Sequence, residues 1–107
     1  MSWKVTFLDG RVEAEMEAQP ADIRARFDRL RQIIAAHGVA HLPPKYARHI
    51  RHRLWELRMK GKDGIARAFY VTARGERVVI VRVFTKKTQK TPEREINLAL
   101  KRAEEVA

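Results

Sequence analysis

The chain has no cysteine, one serine, five glycines and no long apolar run, and each shortage removes a class of function. Without cysteine there are no disulfides and no thiolate metal sites. With Ser2 as the only serine, a serine-nucleophile triad is not expected as the working chemistry. The glycines are scattered, so no glycine-rich phosphate loop exists. No apolar stretch approaches the roughly 20 residues of a membrane span. The opening MSWKVTFLDG shows neither a signal-peptide core nor a cleavage site. A cytoplasmic protein with no membrane association is therefore expected. The four histidines, His37, His41, His49 and His52, form no familiar ligand pattern with nearby carboxylates, and neither a metal nor a cofactor is expected.

Acid is the other shortage. Thirteen Asp and Glu face 23 Lys and Arg, for a net charge of +10. A field of that sign attracts polyanions and speeds their encounter. From charge alone nucleic acid is the leading partner, ahead of an acidic protein and an anionic membrane. A length of 107 residues fits one domain spanning 1–107, large enough for a core of its own.

Residues Trp3 to Leu8 alternate as a half-buried strand, with Trp3, Val5 and Phe7 on one side. Asp9 is placed to cap a short helix around Arg11 to Ala18. Pro20 opens a second helix in which Ile23, Phe27, Leu30 and Ile34 recur at helical spacing, and Gly38 stops it. Leu42-Pro43-Pro44 is a loop, and KYARHIRHR (45–53) is ambiguous between helix turn and loop. LWELR (54–58), IARAFYVTA (65–73) and RVVIVRVF (77–84) read as an antiparallel meander with short turns. Thr91 is placed to cap a last helix with Pro92 in its first turn and Ile96, Ala99, Leu100 and Ala103 as its apolar stripe. The fold class is α+β, in the order β-α-α-β-β-β-α. A helical hairpin covers one face of a small, mostly antiparallel sheet, and the C-terminal helix packs near an edge.

The meander carries cations in unusual places. Leu54, Glu56 and Arg58 share one face, and Trp55 and Leu57 the other. Arg67 and Arg82 each interrupt an apolar strand, which is costly unless the guanidinium is paired or solvated. One account is a cross-strand ion pair of Glu56 with Arg67 or Arg58. The other is a phosphate clamp in which Arg58, Arg67, Arg82, Lys86 and Lys87 converge with few carboxylates to neutralise them. RNA suits such a clamp because its own 2′-hydroxyl can be the nucleophile. A lysine whose pKa is lowered by its neighbours, Glu56, or a histidine of the HIRH segment could take the proton. Tyr70 or Tyr46 could stack on a base, although packing suits Tyr70 as well.

LWELR, RAFY and VVIVRVFTKKTQKTPEREINLALKR together resemble the HigB-like, phage-derived branch of the RelE/ParE toxin superfamily, over Leu54 to Arg102, with KKTQKTP the most diagnostic part. The resemblance implies a RelE-like fold and a metal-independent endoribonuclease that cuts mRNA on the translating ribosome. It also implies a helix-turn-helix antitoxin as partner and no small-molecule substrate. Arg67 matches the central-strand arginine that contacts the scissile phosphate, Lys86 and Lys87 the basic pair after the last strand, and Arg58 the end of LWELR. The chain departs from the pattern at Trp55 and Glu56, where RelE proper is basic, at Arg82, where the branch often has histidine, and in having no tyrosine after KKTQKTP. The catalytic candidates are thus Arg67, Lys87, Arg82, Arg58 and Glu56. Lys86, Lys90, His52 and Arg48 are the candidate RNA contacts. A ParE-type gyrase inhibitor and a non-cleaving RNA-binding module are the alternatives.

Overall fold

The computed structural model describes residues 3–86 and 90–107, Lys86 by its backbone alone. A five-stranded sheet runs in the order β1-β5-β4-β3-β2. Its strands are β1 (Lys4–Phe7), β2 (Ala47–Arg51), β3 (Leu54–Gly61), β4 (Gly64–Ala73) and β5 (Arg77–Lys86). The helices are α1 (Gly10–Glu17), α2 (Ala21–His37) and α3 (Glu93–Ala103). β2 to β5 form the antiparallel part, and β1 joins β5 in parallel.

Local chemistry explains most of this. The Asp9 side chain accepts hydrogen bonds from the backbone N–H groups of Arg11 and Val12 and so starts α1. Ile23, Phe27, Leu30 and Ile34 of α2 are all buried, as their spacing requires. Gly38 ends α2 at φ +84°, a conformation that favours glycine. α1 and α2 cover the sheet face that carries Leu57, Met59, Ala66, Ala68, Tyr70, Val78 and Ile80.

Three expectations change. The ambiguous segment holds a strand, because Ala47–Arg51 pairs with Leu57–Leu54. α3 lies on the second sheet face rather than at an edge, with Ile96, Ala99 and Ala103 packed on Leu54, Phe69, Val71, Val79 and Val81. β4 and β5 are apolar on both sides, so both sides need a cover. Finally, Pro92 rather than Thr91 occupies the N-cap of α3, without a side-chain cap bond, and the Thr91 hydroxyl turns instead toward Glu56.

β5 contains a bulge. Phe69 pairs with Arg82 and Tyr70 with Ile80, which leaves Val81 over. β1 stops pairing at Ile80, so the next stretch of β5 has an open edge. Side chains close it. The Val83 N–H donates to Glu15 Oε1 at 3.0 Å, and Arg102 Nη1 donates to the Val81 carbonyl at 2.9 Å. Backbone polar groups buried at an edge need such partners.

Candidate RNA-phosphate site on the second sheet face

Period-two alternation puts Glu56, Arg58, Arg67, Phe69, Arg82 and Phe84 on the face that α3 only partly covers. Register then fixes their neighbours. Arg48, Glu56, Phe69 and Arg82 form one cross-strand row. Arg58, Arg67 and Phe84 form the next. Two arginines directly opposite each other repel. Glu56 resolves this. Arg67 Nη1 donates to Glu56 Oε1 at 2.8 Å and Arg48 Nε donates to the same oxygen at 3.2 Å, while Arg58 Nε stands 4.0 Å away.

Three guanidiniums therefore share one carboxylate. Glu56 and Arg67 are fully buried, whereas the Arg58 side chain is 25% exposed and that of Arg48 49%. Burial pulls the Arg67 guanidinium below its usual range and Arg58 adds to this, against the Glu56 charge that holds it up. An arginine remains a cation through such a shift. Arg58 Nε is buried with no hydrogen-bond partner among the described residues. The cluster thus keeps an excess of positive charge, and its exposed members face solvent at the rim. The Thr91 hydroxyl lies 3.5 Å from Glu56 Oε2, which brings the chain at Lys90 alongside.

The structure places Arg82 in a different constellation. Its Nε and Nη2 donate to the two carboxylate oxygens of Glu95 at 2.8 and 3.1 Å, and its Nη1 lies 2.9 Å from Glu15 Oε2. The Glu95 bonds raise its pKa, with Glu15 adding to the rise. Each of its three guanidinium nitrogens thus faces a carboxylate, in a constellation separate from the Glu56 cluster. It ties α1 and α3 to β5, with Arg102 bonded to Glu15 beside it. The T-shaped pair Phe69–Phe84, at 5.2 Å, stands between this tie and Glu56. The expectation that these cations lack carboxylates therefore fails at Arg82. Glu15 and Glu95 come from helices far away in sequence and look like ordinary charges on solvent faces, so no local signal marks them.

Among the other candidates, Arg48 joins the cluster and His52 does not. His52 sits in the β2–β3 turn at φ +54°, where its carbonyl accepts from His49 Nε2 at 2.6 Å. Lys87 and the Lys86 side chain lie outside the described residues. Tyr70 is 2% exposed and packs in the core under α2, and burial pushes its hydroxyl pKa up. That position removes it as a stacking platform. Tyr46 is half-buried. Among the described residues no group of three or more His, Asp or Glu side chains is placed to hold a metal ion. No described helix is long and apolar enough to cross a membrane.

The architecture is that of the RelE-like toxins. A mutant of the Escherichia coli toxin RelE in the free state superposes with a TM-score of 0.67 over 95% of this chain and 98% of that one, at 14% identity. The archaeal RelE of a RelE–RelB complex from Pyrococcus horikoshii OT3 gives a TM-score of 0.59 over 84% and 100%, at 16% identity. Curated protein sequences give no significant match. The family model of phage-derived Gp49-like proteins matches residues 14–104, and the chain belongs to that family.

Proposed function

We infer that this protein is the toxin of a toxin–antitoxin pair and that it cleaves mRNA, on the translating ribosome, with the RNA's own 2′-hydroxyl as nucleophile. The observation that carries the reading is the Glu56 cluster, in which three guanidiniums crowd one buried carboxylate at the open part of a sheet face. Its positive excess suits a phosphate that gains charge as it becomes a phosphorane. Net charge, family and fold agree with it.

Arg58 and Arg48 are the cluster members that solvent reaches, so they meet the phosphate oxygens. Arg67 and Glu56 are buried, and they position the other two. Glu56 holds like charges together that would otherwise separate. Its carboxylate is fully buried, so it does not reach the 2′-hydroxyl. The 2′-hydroxyl proton falls to a lysine of the 86–90 stretch, Lys87 first, and Lys90 adds a contact at the rim. The 2′-oxygen attacks phosphorus, the bond to the 5′-oxygen breaks, and that oxygen takes a proton. The products are a 2′,3′-cyclic phosphate and a 5′-hydroxyl. An antitoxin of the helix-turn-helix type is the expected protein partner. The P. horikoshii RelE was itself solved in a complex with RelB.

The test uses mRNA on programmed ribosomes, intact or with a 2′-deoxy nucleotide at the cut position. The reading predicts 5′-hydroxyl ends on the first and no cut on the second. Ends carrying 5′-phosphate, or cutting of the deoxy substrate, would refute it.

A further inference from the structure

Trp55 has no part in the chemistry of the Glu56 cluster. It alternates with Glu56 along β3, so it lies on the opposite sheet face, where it pairs with Tyr70 of β4 and His49 of β2. It is 39% exposed, and the His49 ring makes a T-shaped contact with it at 5.3 Å. Beside it opens a cavity of about 350 Å³. Val39, Leu42 and Ala47 give this cavity aliphatic walls, Trp55 gives it an aromatic one, and Tyr70 and Thr72 bring hydroxyls to it. Tyr70 is the informative member. Only 2% of its surface is exposed, yet its hydroxyl makes no hydrogen bond with the described residues and is not itself a buried atom. The small part of Tyr70 that solvent reaches therefore includes that hydroxyl.

An apolar cavity of this size, with an aromatic wall and a few polar groups, suits a small ligand. The hydroxyls decide which kind. A leucine or methionine side chain would cover the Tyr70 hydroxyl without bonding to it, and a buried hydroxyl with no partner costs free energy. A nucleobase fills the same space, stacks on the indole and offers donors and acceptors along its edge. The net charge of +10 brings nucleic acid to the protein. We propose that this cavity takes one unstacked base of a single-stranded nucleic acid, stacked on Trp55 with its edge bonded to the Tyr70 hydroxyl.

The edge of the sheet connects this subsite to the cluster. β2 is an outer strand, and its neighbours Arg48 and His49 serve opposite faces. Arg48 bonds to Glu56, whereas His49 touches Trp55. A strand with a phosphate at Arg48 has only this one edge to cross before it reaches Trp55. The base in the cavity then belongs to a nucleotide that flanks the cut, and contacts to flanking nucleotides set sequence preference. That role rests on the ribonuclease reading, and the binding of a base does not.

The experiment is an NMR titration of the whole isotope-labelled chain with hexadeoxyadenylate, which has no 2′-hydroxyl and so is not cut. An abasic hexamer with the same sugar-phosphate backbone and N-acetylleucine amide are the comparisons. The spectrum of Trp55→Ala tells the Trp55 indole N–H from that of Trp3. The proposal predicts that the Trp55 indole and the amides of Ala40, Ala47 and Thr72 shift with the adenylate and not with the abasic hexamer. Trp55→Ala should weaken adenylate binding by at least about fivefold, through lost stacking. Tyr70→Phe should weaken it by about three- to tenfold and leave the thermal midpoint unchanged, since the hydroxyl has no partner to lose in the free protein. The proposal is overturned by an unshifted Trp55 indole, by equal shifts with the abasic hexamer, or by full affinity in Tyr70→Phe. It is also overturned by the leucine amide, if that shifts these signals and the adenylate does not. Base binding by a protein that cuts no RNA would count against the ribonuclease reading alone. Cutting of RNA by a protein whose Trp55 indole stays unshifted would overturn the base subsite alone.

Discussion

Glu56→Gln is the sharpest perturbation the cluster offers. Glutamine keeps the shape and one acceptor oxygen, but it removes the carboxylate charge that Arg48, Arg58 and Arg67 share. Glu56 and Arg67 are fully buried, so water cannot screen the loss. Breaking a buried pair from one side costs about 3–5 kcal/mol, and the retained acceptor puts the figure near the lower end, at about 3 kcal/mol. For a chain of this length the unfolding entropy is about 0.22 kcal/mol/K, so the midpoint should fall by about 13 °C. Circular dichroism with heat and with urea measures this directly, given two-state unfolding. The comparison with Arg67→Met is more telling than the number. Removing Arg67 leaves Glu56 with Arg48 and Arg58, whereas removing Glu56 leaves three cations facing one another. Glu56→Gln must therefore cost more than Arg67→Met, and the double variant must recover part of the loss. A loss below about 1 kcal/mol, or the reverse ordering, would refute the idea that Glu56 holds the cluster together.

Other outcomes follow from the same structure. Arg82→Met should destabilise by about 2–4 kcal/mol, because Glu15 and Glu95 lose their shared cation, while RNA cleavage by the folded protein persists; urea unfolding and the cleavage assay measure the two parts. Gly61→Ala should cost about 1–3 kcal/mol by thermal unfolding, since an added Cβ would lie 2.6 Å from Ile23 Cδ1 and 2.9 Å from Asp22 Oδ2, at the contact where Asp22 holds the β3–β4 turn. Acid should weaken the fold in a defined window. Arg11 lowers the Asp9 pKa, the Lys62 N–H lowers that of Asp22, and Arg51 lowers that of Glu93. Depressed carboxylate pKa values add stability above the ordinary values of 3.8 for Asp and 4.5 for Glu, and the gain is lost as pH falls below them. The urea midpoint should thus be flat from neutral pH to about 5 and drop below that, and a midpoint rising toward pH 3 would contradict the assignment.

Elements that announce themselves by period were legible. The α2 stripe, the Asp9 cap and the three meander strands each follow from neighbours in the chain. β2 was not, because ARHIR at a sheet edge carries charge where a buried strand carries apolar alternation. The side on which α3 packs was only implicit, in apolar runs such as VVIV that need covering on both faces. The placement of the candidate site residues was legible in part. Strand alternation places Glu56 beside Arg58 and suggests Arg67 as its partner, but it leaves open whether these guanidiniums reach solvent. Arg67 does not, and the proposed function therefore gives it a supporting part. The same burial means that Arg67→Ala would leave a space in the structure, so Arg58 is the cleaner residue to remove. Arg82 could not be placed from sequence, since its partners Glu15 and Glu95 arrive from α1 and α3 through the tertiary fold.

The claim that the Glu56 cluster cuts RNA is tested most directly by mapping mRNA 5′ ends in bacteria after induction of wild type and of Arg58→Ala, with equal amounts of folded protein confirmed. New ends inside translated regions with wild type, and their loss with Arg58→Ala, are the predicted result. Unchanged cleavage by the variant would remove the cluster from the chemistry. Growth arrest with intact mRNA would show that the protein acts on some other target.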